Sequence, residues 1–455
     1  MKRKTSIIIL SYNNLELLKT CIESIRNYTL KDDYELIIVD NNSTEDVKEY
    51  LKNQKDIILK LNDENYGFPK GCNIGIDLAN KENDILLLNN DTIVTTNWLK
   101  NLKECLYSRE DIGAVGPVCG KTDNLQYINL KYENFEQMQD EAKKNNISDS
   151  NRWEEKVFLI GYCILIKRDV FNKVGYLDET YTPGYIEDND YSLRILKEGY
   201  KLYLCHDCYI YHHLGVEFRK DLTKLYQILD KNRNYFYSKW GFSAFEFDEI
   251  KRYSLEIIKK LEKDKQYDIL DLYSGIGAST LKIKNIFKTS NVLSFEENVS
   301  KANISKCVSN TINANFNDVT NVINKKFDII VVEDLLEKQE NINEILCKVK
   351  SLLKENGLLV GSFYNANYYK NIYELLQDRW LYAKRVAYDA YDKKNYTKED
   401  MYKILMSNGF KEIDFLHWYN YNEEDEENIF KLGDLVGEQR IYLYKTYAYS
   451  FIAKK

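Results

Sequence analysis

Three short apolar runs, each stopping at a polar turn, do most to fix what this chain can become. Ser6-Ile7-Ile8-Ile9-Leu10 runs into Ser11-Tyr12-Asn13-Asn14, Glu35-Leu36-Ile37-Ile38-Val39 into Asp40-Asn41-Asn42-Ser43, and Asp84-Ile85-Leu86-Leu87-Leu88 into Asn89-Asn90-Asp91-Thr92. Unbroken Ile, Leu and Val reads as strand buried on both faces, as in a parallel sheet. Between the first two runs, Leu15, Leu18, Ile22 and Ile25 recur at helical spacing, and Ser43 and Asp46 are spaced like a capping box before a second helix. Strands alternating with helices imply an α/β fold with a doubly wound sheet, which gathers ligands at the carboxyl edge of its strands. Tyr12, Asp40 and Asp91 are therefore expected at one crevice. Asp91 would there suit a divalent cation such as Mg²⁺ or Mn²⁺, which takes few protein carboxylates and fills its shell with phosphate oxygens. An Asn-Asp turn after a buried strand is the plainer reading of the same residues.

Further along come Asn65-Tyr66-Gly67-Phe68 with Asn73-Ile74-Gly75, Gly161 before Val170-Phe171, Val174-Gly175-Tyr176-Leu177-Asp178-Glu179, Glu187-Asp188-Asn189-Asp190 with Arg194 and Gly199-Tyr200, and His212-His213. In this order and spacing the N-terminal half resembles the family-2 glycosyltransferases of the GT-A fold, in a branch like the rhamnosyltransferases. The resemblance implies that Ser11, Tyr12, Asp40, Asn90 and Gly161 hold a nucleoside-diphosphate sugar such as dTDP-rhamnose or a UDP-sugar. It implies Asp91 as metal ligand and His212, favoured over His213 by its spacing to Gly215 and Phe218, as a second one. It further implies Asp188 as the general base, Glu187 as the lesser candidate, inversion at the sugar carbon, and a glycan or glycoprotein acceptor. Sugar transfer needs such a set, because charge builds on the leaving phosphate while the acceptor hydroxyl must lose a proton. Crowded acids should also raise one another's proton affinity. The same acids at the start of Tyr191-Ser192-Leu193-Arg194 would equally suit a helix dipole.

Cys205-His206-Asp207-Cys208 followed by His212 or His213 has spacing that a zinc site uses, although alternating side chains of a strand would not all face one ion. At 455 residues the chain is too long for one ordinary core. Nine scattered cysteines argue for reducing conditions, and with no bilayer-length apolar run and no signal-like start they point to a cytoplasmic enzyme. A net charge of -7 argues against a nucleic-acid partner. The run Glu423-Glu424-Asp425-Glu426-Glu427 reads as a solvated loop.

Boundaries are expected at 1-243 for the first domain, 244-265 for a connecting amphipathic helix carrying Ile250, Leu255, Ile258 and Leu261, and 266-455 for a second domain. The second opens on Tyr267-Asp268-Ile269-Leu270-Asp271-Leu272-Tyr273-Ser274-Gly275-Ile276-Gly277, a strand entering a glycine turn. With Val292-Leu293-Ser294-Phe295-Glu296, Phe327 to Glu333, Leu353 to Val360 and Tyr449 to Ala453, it resembles the Rossmann-like class I methyltransferases that use S-adenosylmethionine. That resemblance implies Asp271, Gly275 and Gly277 as cofactor-binding residues, and Glu296 as the acceptor of the ribose hydroxyls. The joining of the two domains in one chain, and not the resemblance, points to O-methylation of the transferred sugar as the role. The rival reading is a methyltransferase with a non-catalytic glycan-binding N-terminal domain.

Overall fold

A computed structural model describes residues 3–120, 126–213, 222–247, 250–333, 336, 341–378 and 396–455. The chain divides into two units, Met1–Asp248 and Glu249–Lys455. The strands of the first are β1 (Thr5–Ser11), β2 (Tyr34–Asp40), β3 (Ile57–Leu61), β4 (Asp84–Asn89), β5 (Thr92–Ile93), β6 (Ile112–Val118), β7 (Trp153–Lys156), β8 (Cys163–Ile166), β9 (Lys201–Tyr209) and β10 (Tyr211–His212). One sheet runs β3-β2-β1-β4-β8-β6-β9-β7, parallel from β3 to β4 and between β6 and β9, with β8 and β7 antiparallel to their neighbours. β5 and β10 form a separate antiparallel ribbon.

The helices of this unit are α1 (Leu15–Tyr28), α2 (Glu45–Lys52), α3 (Phe68–Leu78), α4 (Trp98–Leu106), α5 (Phe135–Asn145), α6 (Arg168–Val174), α7 (Glu187–Lys197) and α8 (Leu222–Trp240). Alternate residues Ile7 and Ile9, Leu36 and Ile38, and Leu86 and Leu88 share one core with Leu18, Ile22 and Ile25 of α1 and Trp98 and Leu102 of α4. The strand period of two thus meets the helical period read from the sequence. α2 begins one residue later than a Ser43 cap would give, with Thr44 at its N-cap. The Ser43 hydroxyl instead accepts the amide of Asn13, at 2.8 Å, tying the first two turns together.

In the second unit, β11 (Asp268–Leu272), β12 (Asn291–Phe295), β13 (Asn310–Ile312), β14 (Phe327–Glu333), β15 (Leu353–Tyr364), β16 (Lys411–Tyr419) and β17 (Thr446–Lys454) form a sheet ordered β13-β12-β11-β14-β15-β17-β16. Its first five strands are parallel and β17 lies antiparallel between β15 and β16. The stretch expected as a connector is shared out between the units. Phe247 packs on Phe158 and Phe236 of the first, at ring separations of 4.7 and 5.9 Å. Helix α9 (Arg252–Ile258) lays Leu255, Ile257 and Ile258 onto Tyr267, Ile269, Val331 and Val360 of the second. Apolar residues at helical spacing have found a core there instead of solvent.

The acidic run at Glu423 is also corrected, from loop to helix. Glu423–Val436 is helical, opened by a capping box of Asn422 and Asp425, so the acids face the positive end of the helix dipole. Among the described residues no helix is long and apolar enough to cross a membrane.

Candidate active site

The register pairs Ser11 with Asp40 and Leu10 with Asn89, so the carboxyl ends of β2, β1 and β4 stand level. Asn41 donates its amide to the Ser11 carbonyl at 2.8 Å, and Ser43 donates its amide to Asp40 Oδ2 at 3.0 Å. Asp40 Oδ1 and Ser11 Oγ are buried with no hydrogen-bond partner. Buried polar atoms are nearly always paired, so orphans at this edge suit a ligand's donors. Tyr12 is 38% exposed beside them, and Asn90 is half-buried in the turn that follows β4. A groove of about 520 Å³ opens next to Asp40, whose carbonyl accepts the Asn62 amide at 2.9 Å. Its walls include Asn62, Asp63, Tyr66 and Lys70, with the Lys70 ammonium 3.9 Å from the centre of the Tyr66 ring. The sequence reading missed Lys70, which no motif marked.

β4 stops at Asn89, so Asp91 lies in the turn beyond it, 8% exposed. Pairing of His212 with Thr92 in the β10–β5 ribbon brings His212 Nε2 to 3.2 Å from Asp91 Oδ1. The two atoms are close but not aligned for a hydrogen bond, and both His212 ring nitrogens are buried without one. The His212 ring stacks on Tyr162 at 5.0 Å and 18°, which fixes its plane. One carboxylate and one imidazole, with no third His, Cys, Asp or Glu among the described residues to complete a metal cluster, fit a cation that takes its remaining ligands from a bound diphosphate. Gly215 and Phe218, which favoured His212, lie outside the described residues.

The zinc-like spacing dissolves in the strand. His206 Nε2 meets Glu154 at 2.8 Å, Asp207 accepts the Trp153 indole at 2.9 Å, and Cys208 donates to the Trp98 carbonyl at 3.4 Å. Alternation along β9 sends these side chains to separate partners.

α7 delivers the acids. Gly161 donates its amide to Asp188 Oδ2 at 2.8 Å, and Asn189 donates its own to Asp188 Oδ1 at 2.9 Å. A Cβ on residue 161 would stand 3.3 Å from Asp188 Cβ, so glycine lets the backbone come this near the carboxylate. Burial pushes the Asp188 carboxyl up, against the pull of these backbone amides. Burial, then the charge of Asp188, push Glu187 up too, and its buried Oε2 has no partner. Asp190 plays another part. Fully buried, it meets Arg194 Nε at 2.9 Å, Lys239 Nζ at 2.7 Å and the Trp240 indole at 2.9 Å, the arrangement of a structural ion pair. Asp178 joins the same network; although burial opposes it, Lys239, Thr180 and Tyr235 hold its carboxyl well below the usual range.

Residues 161 and 162 connect the two halves of the site. The amide of Gly161 holds Asp188, the ring of Tyr162 backs His212, and the Tyr162 carbonyl accepts the Asn89 amide at 2.9 Å, two residues before Asp91. Asp188 and Asp91 therefore serve one edge. Helix α8 fastens the loop that precedes α7. Asn232 Nδ2 donates to the carbonyls of Tyr181, Gly184 and Tyr185 at 2.8, 2.8 and 3.0 Å, and Lys231 to that of Thr182 at 3.0 Å. Neither Tyr162 nor Asn232 carried a sequence signal as strong as the acids they position.

In the second unit the glycine turn follows β11, with Tyr273, Gly275 and Gly277 in left-handed conformations at φ 54°, 57° and 92°. Gly277 caps helix α10 (Ala278–Ile286), and a Cβ there would meet Val308 at 2.6 Å. Glu296, 4% exposed, accepts the Gly275 amide through Oε2 and the Asn298 amide through Oε1, both at 2.8 Å. Burial pushes its carboxyl up. Asp271 is fully buried, accepts the Thr280 hydroxyl at 2.6 Å, and pairs with Lys251. The turn and both acids are present where a class I cofactor would need them, so the residues fit the group.

The first unit is thus GT-A-like and the second Rossmann-like, each with its charged groups at the carboxyl edge of its sheet. Residues 6–175 match the model of the family described as glycosyl transferase family 2, and the N-terminal part of the chain is a domain of that family. Among curated proteins, the chain is 22% identical to the chondroitin synthase of Escherichia coli over 51% of its own length and 39% of that protein's. It is 25% identical to the release factor glutamine methyltransferase of Fusobacterium nucleatum over 56% of its own length and 76% of that protein's. Of solved structures, a GalNAc-T7 with UDP, GalNAc and Mn²⁺ aligns at 16% identity and a TM-score of 0.38, covering 46% of this chain and 44% of that one. The chain therefore spans well under two thirds of the length of the chondroitin synthase it matches.

Proposed function

We propose that the first domain is an inverting, metal-dependent glycosyltransferase. It moves rhamnose or another deoxyhexose from a nucleoside diphosphate, dTDP-rhamnose or a UDP-sugar, to a glycan or protein-linked glycan. One observation carries this reading: consecutive residues, Gly161 and Tyr162, hold the acid on one side and the Asp91–His212 pair on the other. Asp91 and His212 would hold a divalent cation, which when bound would supply positive charge against the leaving diphosphate. Asp40, Ser11 and Tyr12 hold the nucleotide at the level edge of β1 and β2. Asp188 takes the proton of the incoming hydroxyl, and its lifted proton affinity makes it a better base than an ordinary surface carboxylate. A single displacement with the base opposite the leaving group inverts the sugar carbon.

For the second domain the proposal is O-methylation of the transferred sugar. Asp271, Gly275, Gly277 and Glu296 would hold S-adenosylmethionine, which supplies an electrophilic methyl group when bound; the chain's own part is positioning. The test is a thermal-shift panel of nucleotide sugars with and without Mn²⁺, followed by transfer assays on the ligands that stabilise the protein. No shift with any nucleotide sugar, in either condition, refutes the glycosyltransferase reading. Asp91→Ala is expected to abolish sugar transfer and leave methyl transfer intact. Methylation of a glycan by a chain that never transfers sugar would instead favour the methyltransferase with a non-catalytic glycan-binding domain.

A further inference from the structure

We propose that Lys251 is a built-in occupant of the cofactor crevice of the second domain. Its ammonium sits in the seat that the α-ammonium of an S-adenosyl ligand must take, and the ligand binds only by displacing it. The proposal rests on the reading that this domain takes S-adenosylmethionine.

The seat is defined by its acceptors. Lys251 Nζ donates to Asp271 Oδ1 and to the carbonyl of Leu272, and the residue is 7% exposed. Both acceptors lie at the carboxyl end of β11, where the chain enters the glycine turn and where a doubly wound sheet receives its ligands. Asp271 is fully buried, and its other oxygen is taken by Thr280. A buried carboxylate needs a cation, and a carboxylate beside a main-chain carbonyl suits an alkylammonium, which has three protons to give and accepts none.

Lys251 does not belong to the turn it fills. It arrives on the segment that leads into α9, and that segment is clasped at two points. The Lys251 amide donates to Ser279 Oγ, in the first turn of α10, and the Ser254 amide donates to Glu333 Oε2, at the end of β14, both at 2.9 Å. The strap therefore crosses the carboxyl edge of β11 and β14 and drops one ammonium into it. With Asp271 Oδ2 on the Thr280 hydroxyl, an ammonium seated between Oδ1 and the Leu272 carbonyl excludes a second from that same position. The amino-acid end of the cofactor and the side chain of Lys251 are thus mutually exclusive, and the population in which Lys251 is seated weakens apparent affinity in proportion. A ligand with the same adenosine but no amino group meets no such competition.

The experiment is calorimetric titration of the full chain, wild type and Lys251→Met, with S-adenosylhomocysteine and with 5′-methylthioadenosine, which lacks the amino-acid end. The variant is expected to bind the homocysteine compound on the order of tenfold more tightly, while methylthioadenosine changes by less than about twofold. An equal gain for both ligands, or weaker binding of the homocysteine compound, overturns the inference. No binding of either ligand to either protein overturns the underlying cofactor reading instead. Because the variant leaves Asp271 without its cation, a second measurement uses the wild type alone. An amine-acylating reagent, read out by mass spectrometry, should label Lys251 more when the homocysteine compound is present and no more when methylthioadenosine is. Unchanged or reduced labelling with the homocysteine compound overturns the proposal independently of the variant's stability.

Discussion

Replacing Asp188 by Asn should remove a proton acceptor while leaving most of its frame standing. The amide oxygen of Asn can still accept the Gly161 N–H that now meets Asp188 Oδ2 at 2.8 Å and the side chain keeps its volume, although the Asn189 N–H, now on Oδ1 at 2.9 Å, loses its acceptor. What is lost is the base. Proton transfer by a positioned side chain is worth roughly 10²- to 10⁴-fold in rate, or about 3 to 5 kcal/mol of barrier at about 1.4 kcal/mol per decade. Stability should move the other way. Burial lifts the Asp188 carboxyl, so the folded chain holds this proton at pH values where the unfolded chain has released it. Its ionisation therefore weakens the fold as pH rises from the ordinary carboxylate range through the raised folded value, and the loss persists above it. Asn carries no such charge. The assay pairs nucleoside-diphosphate release in the presence of acceptor with thermal unfolding at pH 5 and pH 8. A fall in kcat of roughly 10² or more, with donor affinity kept, is expected together with a Tm that improves relative to wild type as pH rises. A kcat within about tenfold of wild type, or a donor affinity that collapses with it, would refute the assignment of the base.

Three further outcomes follow from the same geometry. Gly161→Ala would place its Cβ 3.3 Å from Asp188 Cβ and 3.4 Å from Oδ2, so the carboxylate must retreat by a few tenths of an ångström; kcat should fall by about five- to tenfold with the donor KM unchanged, since misplacement by about 1 Å costs on the order of a hundredfold. His212→Ala should raise the Mn²⁺ concentration needed for half-maximal activity by on the order of tenfold or more, checked by metal titration of both activity and Tm. Asn232→Ala strips the donor from three carbonyls of the loop before α7; the expected loss is about 2 to 3 kcal/mol in urea unfolding, with kcat reduced beyond what the unfolded fraction explains.

Three strands of the first sheet, β1, β2 and β4, were legible because their apolar runs are buried. Ile7 to Ile9, Ile37 to Val39 and Ile85 to Leu88 could hardly be anything else, and each ends where a polar turn begins. Asp40 and Asp91 stood out as acids where apolar runs end, whereas Asp188 was marked only by the family resemblance of its cluster. The supports were not visible. Tyr162 is one of 38 tyrosines and Asn232 lies 47 to 51 residues from the carbonyls it grips, so neither periodicity nor composition marks them. Asp190, in the same cluster as Asp188, took a different role because Lys239 and Trp240 return to it from the end of α8. The acidic run at Glu423 misled for lack of weight on its Asn422–Asp425 cap. Lys251 fell within a stretch read as connector, because an amphipathic helix looks alike whether it links two cores or lies on one.

Fastening the base from downstream has a consequence for synthesis. Strands β1, β2 and β4 and the turns that complete the donor edge leave the ribosome well before Asn232, Tyr235, Lys239 and Trp240, which reach back to residues 178 to 190. A growing chain passes through a stage at which this edge stands beside an acidic loop held by Phe68, Asn73 and Gly161 but not yet by α8. The last helix of the unit is therefore its latch: its arrival adds the final contacts to residues 178 to 190, and a chain cut short before it keeps the edge of the sheet with that loop less firmly held.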